Sequence, residues 1–125
     1  MDTNTRGTHL DKQKTGRDAE DRACFFLESQ GLTLLTKNFR CKLGEIDLIM
    51  QDQKFIVFVE VRSKNRSDYG GALISVNKLK QHKLIRIASF YLQQQKCYNK
   101  VHCRFDVIGI TEKKLEWIKN AFLAN

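Results

Sequence analysis

Acidic residues interrupt two otherwise apolar segments in the first half of the chain. Glu45 and Asp47 lie within the sequence GEIDLI at 44–49, and Glu60 lies within VFVEVR at 57–62. A carboxylate buried in an apolar strand costs several kcal/mol unless a positive charge compensates it. Carboxylate oxygens are the ligands that a hard divalent cation such as Mg²⁺ or Mn²⁺ prefers. The two segments therefore predict a metal site in which Asp47 and Glu60 supply ligands.

The strands that carry these acids determine whether the side chains can meet. A two-residue loop at Asp52 and Gln53 would place Glu45 opposite Glu60 and make Asp47 a diagonal neighbour of Glu60 on one face. A slip of one residue would send the two carboxylates to opposite faces and remove the site. The pattern predicts three consecutive strands, with bounds Leu32–Arg40, Glu45–Met50 and Lys54–Arg62.

A helix is predicted before these strands, capped by Thr15 at its start and by Gly31 at its end. Its buried stripe is expected to contain Ala19, Ala23, Phe26 and Leu27. Glu20 lies at the margin of that stripe, where its side chain could face a cleft and join the metal ligands. The alternative is a solvated acid that favours the helix dipole in the first turn.

The remaining pattern predicts a second helix and one or two further strands. The helix spans about Ser75 to Gln94, a strand spans Val101 to Ile110, and Leu115–Phe122 is either a strand or a short helix. This order indicates an α/β domain with a central mixed sheet flanked by helices. We expect residues 15–125 to form that single domain and residues 1–14 to form a flexible N-terminal arm.

The positive charge of the chain is concentrated in one stretch. The net charge is +8, and the stretch from Arg62 to Arg104 holds ten Lys or Arg and a single acid, Asp68. This concentration favours a nucleic acid as partner, with DNA preferred. An acidic protein partner and a merely solvated face remain alternatives. The side chains expected to contact nucleic acid are Lys64, Arg66, Lys78, Lys80, Lys83 and Arg86.

Several other classes of protein are disfavoured by the sequence. No apolar run approaches the roughly 20 residues of a membrane-spanning helix, and no signal peptide pattern is present, so we expect a cytoplasmic protein without a membrane partner. The sequence also lacks a phosphate-binding glycine fingerprint, a Gly-x-Ser-x-Gly elbow and zinc-type cysteine spacing.

A set of motifs extends from Thr15 to Phe122 and resembles the YraN-like family of small bacterial proteins. The motifs are GRDAE at 16–20 followed by Asp21, NFR at 38–40, GEIDLI at 44–49, FVEVR at 58–62, YG at 69–70, Val76, Lys80, RFDV at 104–107 and NAF at 120–122. That family is related to the Holliday junction resolvases and to the restriction-endonuclease-like PD-(D/E)XK superfamily. The resemblance therefore implies a restriction-endonuclease-like fold.

The resemblance also assigns roles to individual residues. It implies that Glu20, Asp47 and Glu60 are the metal-binding acids and that Arg62 occupies the position of the superfamily's catalytic lysine. Arginine stays protonated and cannot act as a general base, although it can stabilise charge on a phosphate. Lys64, two residues later on the same face, is a candidate substitute.

We therefore expect a metal-dependent endonuclease-like protein that acts on DNA, with branched or single-stranded DNA as candidate substrates. The alternatives are a nucleic-acid-binding protein without turnover and an adaptor that holds an acidic protein. A resolvase role would require a homodimer that presents two active sites, and the sequence leaves that oligomeric state open.

Overall fold

The computed structural model of the protein describes residues 3–63, 76–97 and 100–124. Within these ranges the chain forms two helices and five strands. Their bounds, in chain order, are α1 Thr3–Ser29, β1 Thr33–Cys41, β2 Gly44–Asp52, β3 Phe55–Ser63, α2 Lys78–Gln94, β4 His102–Ile110 and β5 Leu115–Phe122. The segment Leu115–Phe122 is thus a strand.

The five strands form one mixed sheet in the order β1-β2-β3-β4-β5. All neighbouring pairs are antiparallel except β3 and β4, which run parallel and are joined through α2. Helix α1 packs on one face of the sheet and α2 on the other, and each face has its own apolar cluster. The predicted α/β class and central mixed sheet are confirmed.

Helix α1 ends at the glycine that the sequence predicts. Gly31 has φ 100, its N–H donates to Glu28 O, and the N–H of Leu32 donates to Leu27 O. These two bonds form a Schellman motif, for which the left-handed conformation of glycine is well suited. The helix begins at Thr3 rather than at the predicted cap Thr15.

Helix α2 begins later than predicted and buries the expected stripe. Asn77 caps it, and Asn77 Oδ1 accepts a hydrogen bond from Lys80 N at 2.9 Å. An asparagine in this place satisfies an N–H that would otherwise lack a partner in the first turn. The buried residues are Leu84, Ile87, Ala88, Tyr91 and Leu92, as the spacing predicts.

The predicted register of the β2–β3 hairpin is wrong by two residues. The observed pairs include Asp52 with Phe55 and Leu48 with Val59, so the loop consists of Gln53 and Lys54. Gln53 adopts φ 56, which lets the chain turn one position later than expected. An even shift leaves each side chain on its expected face.

Side-chain alternation nevertheless inverts at one place in β1 and β2. Ile46 packs with α2 whereas Leu48 packs with α1, although a regular strand would put both on one face. Asp47 lies between them, and Asn38 lies at the corresponding place in the β1 ladder with φ 55. Because of the inversion, the face on which Asp47 lies does not follow from the regular alternation that the sequence prediction assumed.

A buried carboxylate joins β4 to β5 on the α1 side of the sheet. Asp106 is 1% exposed and accepts hydrogen bonds from Arg104, from Trp117 Nε1 at 2.9 Å and from Asn120 N at 2.9 Å. The last bond spans an irregularity in the ladder, where Asn120 has φ 51. Arg104 also contacts Asp52 at 3.0 Å, so its charge is shared between two acids.

Among the described residues, no helix is both long enough and apolar enough to cross a membrane.

We predict that Asp106→Ala lowers the free energy of unfolding by about 3 kcal/mol, because it leaves Arg104 and two N–H donors without their buried acceptor. Urea denaturation followed by circular dichroism measures the change. Asp18→Ala, at an exposed position of α1, is the control and should change stability by less than about 0.5 kcal/mol. Equal effects of the two substitutions would contradict a structural role for the Asp106 network.

Candidate metal centre

Three carboxylates converge where α1 meets the first two strands of the sheet. One oxygen from each of Glu20, Glu45 and Asp47 lies within 4.8 Å of the others. Glu20 comes from α1, while Glu45 and Asp47 come from the start of β2. We call these three side chains the acid group.

Asp47 is fixed by a backbone hydrogen bond from the neighbouring strand. Val61 N donates to Asp47 Oδ2 at 2.8 Å. The regular pairing of β2 with β3 ends at Leu48 and Val59, so the carboxylate takes the place of a backbone acceptor just beyond the end of the ladder. Oδ2 of Asp47 is thereby held by the sheet, and this hydrogen bond also fixes the orientation of the carboxylate.

Asn38 donates hydrogen bonds to two carboxylates of the acid group, and Arg40 Nε lies 3.4 Å from Glu45 Oε1. With its amide oriented to donate, Asn38 Nδ2 lies 3.0 Å from Glu20 Oε1 and 2.7 Å from Glu45 Oε2. Its φ of 55 belongs to the left-handed region, which asparagine tolerates better than most residues. Asparagine thus suits position 38 for two reasons, because it tolerates the left-handed backbone and because its amide can donate to both glutamates.

The acid group carries electrostatic repulsion that Asn38 does not remove. Burial, the negative charge of Asp47 and a hydrogen bond with Asp47 raise the pKa of Glu20 from 4.5 to about 7. Glu45 adds a smaller effect in the same direction. At neutral pH a substantial fraction of Glu20 therefore holds a proton. A divalent cation would replace that proton and remove the repulsion.

Glu60 lies beside the acid group and is balanced by two cations. Its side chain is 7% exposed, and Glu60 Oε2 is 3.5 Å from Arg62 Nε and 3.6 Å from Lys80 Nζ. Burial and the negative charge of Asp47 raise the pKa of Glu60 to about 7, although Lys80 and Arg62 act in the opposite direction. Asp47 therefore influences both Glu20 and Glu60.

A cavity of about 610 Å³ opens beside Glu60, between the β1–β2 turn and the first half of α2. We call it the basic cavity. Its charged lining consists of cations, and two leucines form its apolar part. The lining includes Leu43, Arg62, Leu79, Lys80, Lys83 and Arg86.

The structure brings most of the predicted site residues together. Glu20 and Asp47 share the acid group, whereas Glu60 is outside it and contacts Arg62 and Lys80 instead. Of the residues expected to contact nucleic acid, Lys80, Lys83 and Arg86 line the basic cavity and the exposed Lys78 does not. Lys64 and Arg66 lie outside the described residues.

Two site residues have roles that the sequence prediction did not assign. Glu45 belongs to the acid group. Its position two residues before Asp47, on the same face of a regular strand, is the signal that could have identified it. Lys80 was expected to contact nucleic acid only, yet it reaches Glu60 from α2. No pattern in the sequence links these two residues, because the contact depends on how α2 crosses the sheet.

The acid group fits a hard divalent ion by the chemistry of its donors. Carboxylate oxygens suit Mg²⁺ and Mn²⁺, and Mg²⁺ usually takes one or two of them together with several water molecules. The three oxygens of the acid group lie close enough together to reach one such ion. Burial and the charge of Asp47 raise the pKa of Glu20, and a bound cation would oppose both effects. Mg²⁺ or Mn²⁺ at this position stays a prediction.

We predict that Glu20→Gln stabilises the metal-free protein at pH 8 by about 1 kcal/mol, a value discounted for solvent screening, with little effect at pH 4. The unfolded chain loses the Glu20 proton near pH 4.5 and the folded chain near 7, so this group costs stability as pH rises through that window. Thermal unfolding in EDTA at both pH values measures the difference.

The matched control is Glu28→Gln, at an exposed position of the same helix. It should leave stability nearly equal at both pH values. A Glu20→Gln effect that is absent at pH 8, or that is equally large at pH 4, would contradict the repulsion attributed to the acid group.

Comparison with known proteins assigns the chain to a family. The family model described as "Uncharacterised protein family UPF0102" matches residues 19–110. A UPF0102 protein of Coxiella burnetii (strain RSA 331) is 51% identical over 110 residues, covering 87% of this chain and 92% of its own length. One from Janthinobacterium sp. (strain Marseille) is 50% identical over 113 residues, covering 90% of each chain.

A third relative, from Pseudomonas putida (strain W619), is 46% identical over 112 residues and is also a UPF0102 protein. The match to the family model includes Glu20, Glu45, Asp47, Glu60 and Lys80. The chain belongs to the UPF0102 family.

Proposed function

We propose that this protein is a metal-dependent endonuclease-like protein that acts on DNA. The observation that carries the proposal is the position of the acid group beside the basic cavity, with Glu60, Arg62 and Lys80 between them. Cleavage of a phosphodiester needs a divalent ion at the reacting phosphate and cations along the rest of the backbone. In this arrangement the acid group offers ligands for the divalent ion, and the cations of the basic cavity are available to the DNA backbone.

The fold supports the same proposal. The chain contains a helix, an antiparallel three-stranded unit, a crossover helix and a parallel fourth strand. This order agrees with the restriction-endonuclease-like fold that the resemblance to the YraN-like family implies. The acids project from the start of β2 and from the end of β3, where those two strands stop pairing. A resolvase role would add a homodimer with two such sites.

Asp47, Glu20 and Glu45 are the residues that would hold the ion, and Mg²⁺ bound there would activate a water molecule and stabilise charge on the phosphate. Asp47 is oriented by Val61 N, so its position does not depend on the ion. Glu60 holds Arg62 and Lys80 at the mouth of the cavity.

Both of these cations can donate to phosphate oxygens. The Arg62 guanidinium is suited to two parallel hydrogen bonds, and the Lys80 ammonium acts as a compact point charge. Contact with phosphate would draw either cation away from Glu60. Glu60 would then become available as a further ligand, which is the role that the resemblance implies for it.

A nucleic-acid-binding protein without turnover is the alternative, and the arginine at position 62 favours it. The guanidinium does not release a proton at neutral pH, so Arg62 cannot activate a water molecule as a base. Binding would then be strongly dependent on salt and independent of Mg²⁺.

We predict that the protein cuts labelled four-way-junction, flap or single-stranded DNA with Mg²⁺ or Mn²⁺ and that Asp47→Asn reduces the rate at least about 100-fold. Asparagine keeps an acceptor for Val61 N but removes the ligand charge. Gel electrophoresis of the products measures the rate, with Asp18→Asn on the exposed surface of α1 as control.

Binding to the same DNA in EDTA should survive the Asp47 substitution. Cleavage that persists in Asp47→Asn would exclude the acid group as its source. Salt-sensitive binding without any cleavage by the unaltered protein would favour the non-catalytic alternative.

We predict that Arg62→Lys raises the cleavage rate about tenfold, because a lysine at this position can exchange a proton with water whereas arginine cannot. Single-turnover cleavage with Mg²⁺ measures the gain, and DNA binding in EDTA should change little. A lower rate in the lysine variant would show instead that the two-pronged contact of Arg62 with phosphate is the feature that matters.

A further inference from the structure

The basic cavity combines cations with exposed apolar surface. Lys83, Arg86 and Arg62 supply positive charge, and Leu43 and Leu79 supply the apolar part. We infer that this cavity binds an unpaired single strand of DNA and that the protein prefers such a strand to a duplex. The inference rests on the proposed function for the identity of the ligand.

The concave shape favours a single strand. A volume of about 610 Å³ lies in the range of pockets that enclose a ligand of nucleotide size, roughly 300–1,000 Å³. A duplex is a rigid cylinder that is normally read by an element placed in its groove, not by a pocket in the protein. Unpaired nucleotides can separate their bases and enter a pocket one after another.

The exposed side chain of Leu79 also favours binding of a single strand over a duplex. Its side chain is 79% exposed in the first turn of α2, although it is a large apolar residue surrounded by cations. Proteins that bind single strands combine a positive groove with surfaces on which bases lie flat. The faces of unpaired bases are apolar and would cover Leu79 and Leu43, whereas the bases of a duplex are stacked on each other.

The turn between β1 and β2 holds the two sides of the cavity close together. Gly44 has φ 140, and a Cβ at this position would lie 2.8 Å from Lys83 Cε. A larger residue would push Lys83 away from the turn. The glycine therefore lets the Lys83 side chain lie close to the turn, and Leu43 of the same turn also lines the cavity.

The cavity also leads to the acids. Arg62 and Lys80 line it, and each contacts Glu60 Oε2, at 3.5 Å and 3.6 Å respectively. A strand whose phosphates lie along Arg86 and Lys83 would reach these two cations next. Its backbone would then approach the acid group, where the proposed cleavage takes place.

The test is fluorescence anisotropy with labelled oligothymidine and with a blunt hairpin duplex of equal nucleotide number, in EDTA so that no cleavage occurs. We expect tighter binding of the single strand. Leu79→Ser should weaken that binding about fivefold and leave duplex binding unchanged. Phe25→Ser, at an equally exposed apolar position of α1 outside the cavity, should change neither.

A second pair of variants tests the position of the phosphates. Lys83→Ala should weaken single-strand binding several times more than Lys78→Ala, which removes an exposed lysine of the same helix that does not line the cavity. Equal effects of the two lysine changes, equal effects of the Leu79 and Phe25 changes, or tighter binding of the duplex would each overturn the inference.

These outcomes are separable from the proposed function. Preference for the single strand without cleavage under any metal condition would support the cavity assignment and refute the endonuclease. Metal-dependent cleavage together with preference for the duplex would support the endonuclease and refute the cavity assignment.

Discussion

The hydrogen bond from Val61 N to Asp47 Oδ2 is the contact on which the arrangement of the site depends. It forms where β2 and β3 cease to pair, so a carboxylate satisfies an N–H that the ladder would otherwise leave without an acceptor. Because a short aspartate makes this bond, its charge is held close to the backbone. Glu20 approaches from one side of that fixed charge and Glu60 lies on the other.

The inversion of side-chain alternation makes this position accessible to α1. In a regular strand the neighbours Ile46 and Leu48 would share a face, and Asp47 would point away from both. Here those neighbours pack against opposite helices. Asn38 adopts the left-handed conformation beside the inversion and donates to Glu20 and Glu45. The left-handed backbone of Asn38 in β1 is therefore coupled to the hydrogen bonds that the acid group accepts.

The electrostatic cost of the site is offset in different ways on its two sides. Glu60 lies next to two cations, Arg62 and Lys80. In the acid group, Glu45 Oε1 lies 3.4 Å from the exposed Arg40 Nε, and Glu20 and Glu45 share the neutral amide of Asn38. A divalent ion at the acid group would offset the repulsion between Glu20 and Asp47, which raises the pKa of Glu20. Asp106, by contrast, is fully hydrogen-bonded within the protein and has no comparable need for a ligand.

Much of the fold could be predicted because its local rules agree with its tertiary structure. Gly31 ends α1 as expected, and the buried stripe of α2 follows helical spacing. The hairpin register could not be predicted, since it depended on Gln53 adopting a positive φ that its residue type does not favour. The inversion at Asp47 was equally hidden, because the polar spacing of GEIDLI also fits a regular strand.

The contacts of Lys80 show why the site was predictable only in part. The strand pattern predicted Asp47 and Glu60 as ligands because they lie on neighbouring strands, and the role of Arg62 was implied by the family resemblance. Lys80 comes from a helix separated from β3 by a long connection, and its distance to Glu60 is set by the packing of α2 and the cap at Asn77. That packing places the Lys80 amine near Glu60. Arg62, which occupies the strand position where the resemblance predicts lysine, contacts the same carboxylate. Lys80 therefore brings an ammonium group to Glu60 from α2, the helix that joins β3 to β4.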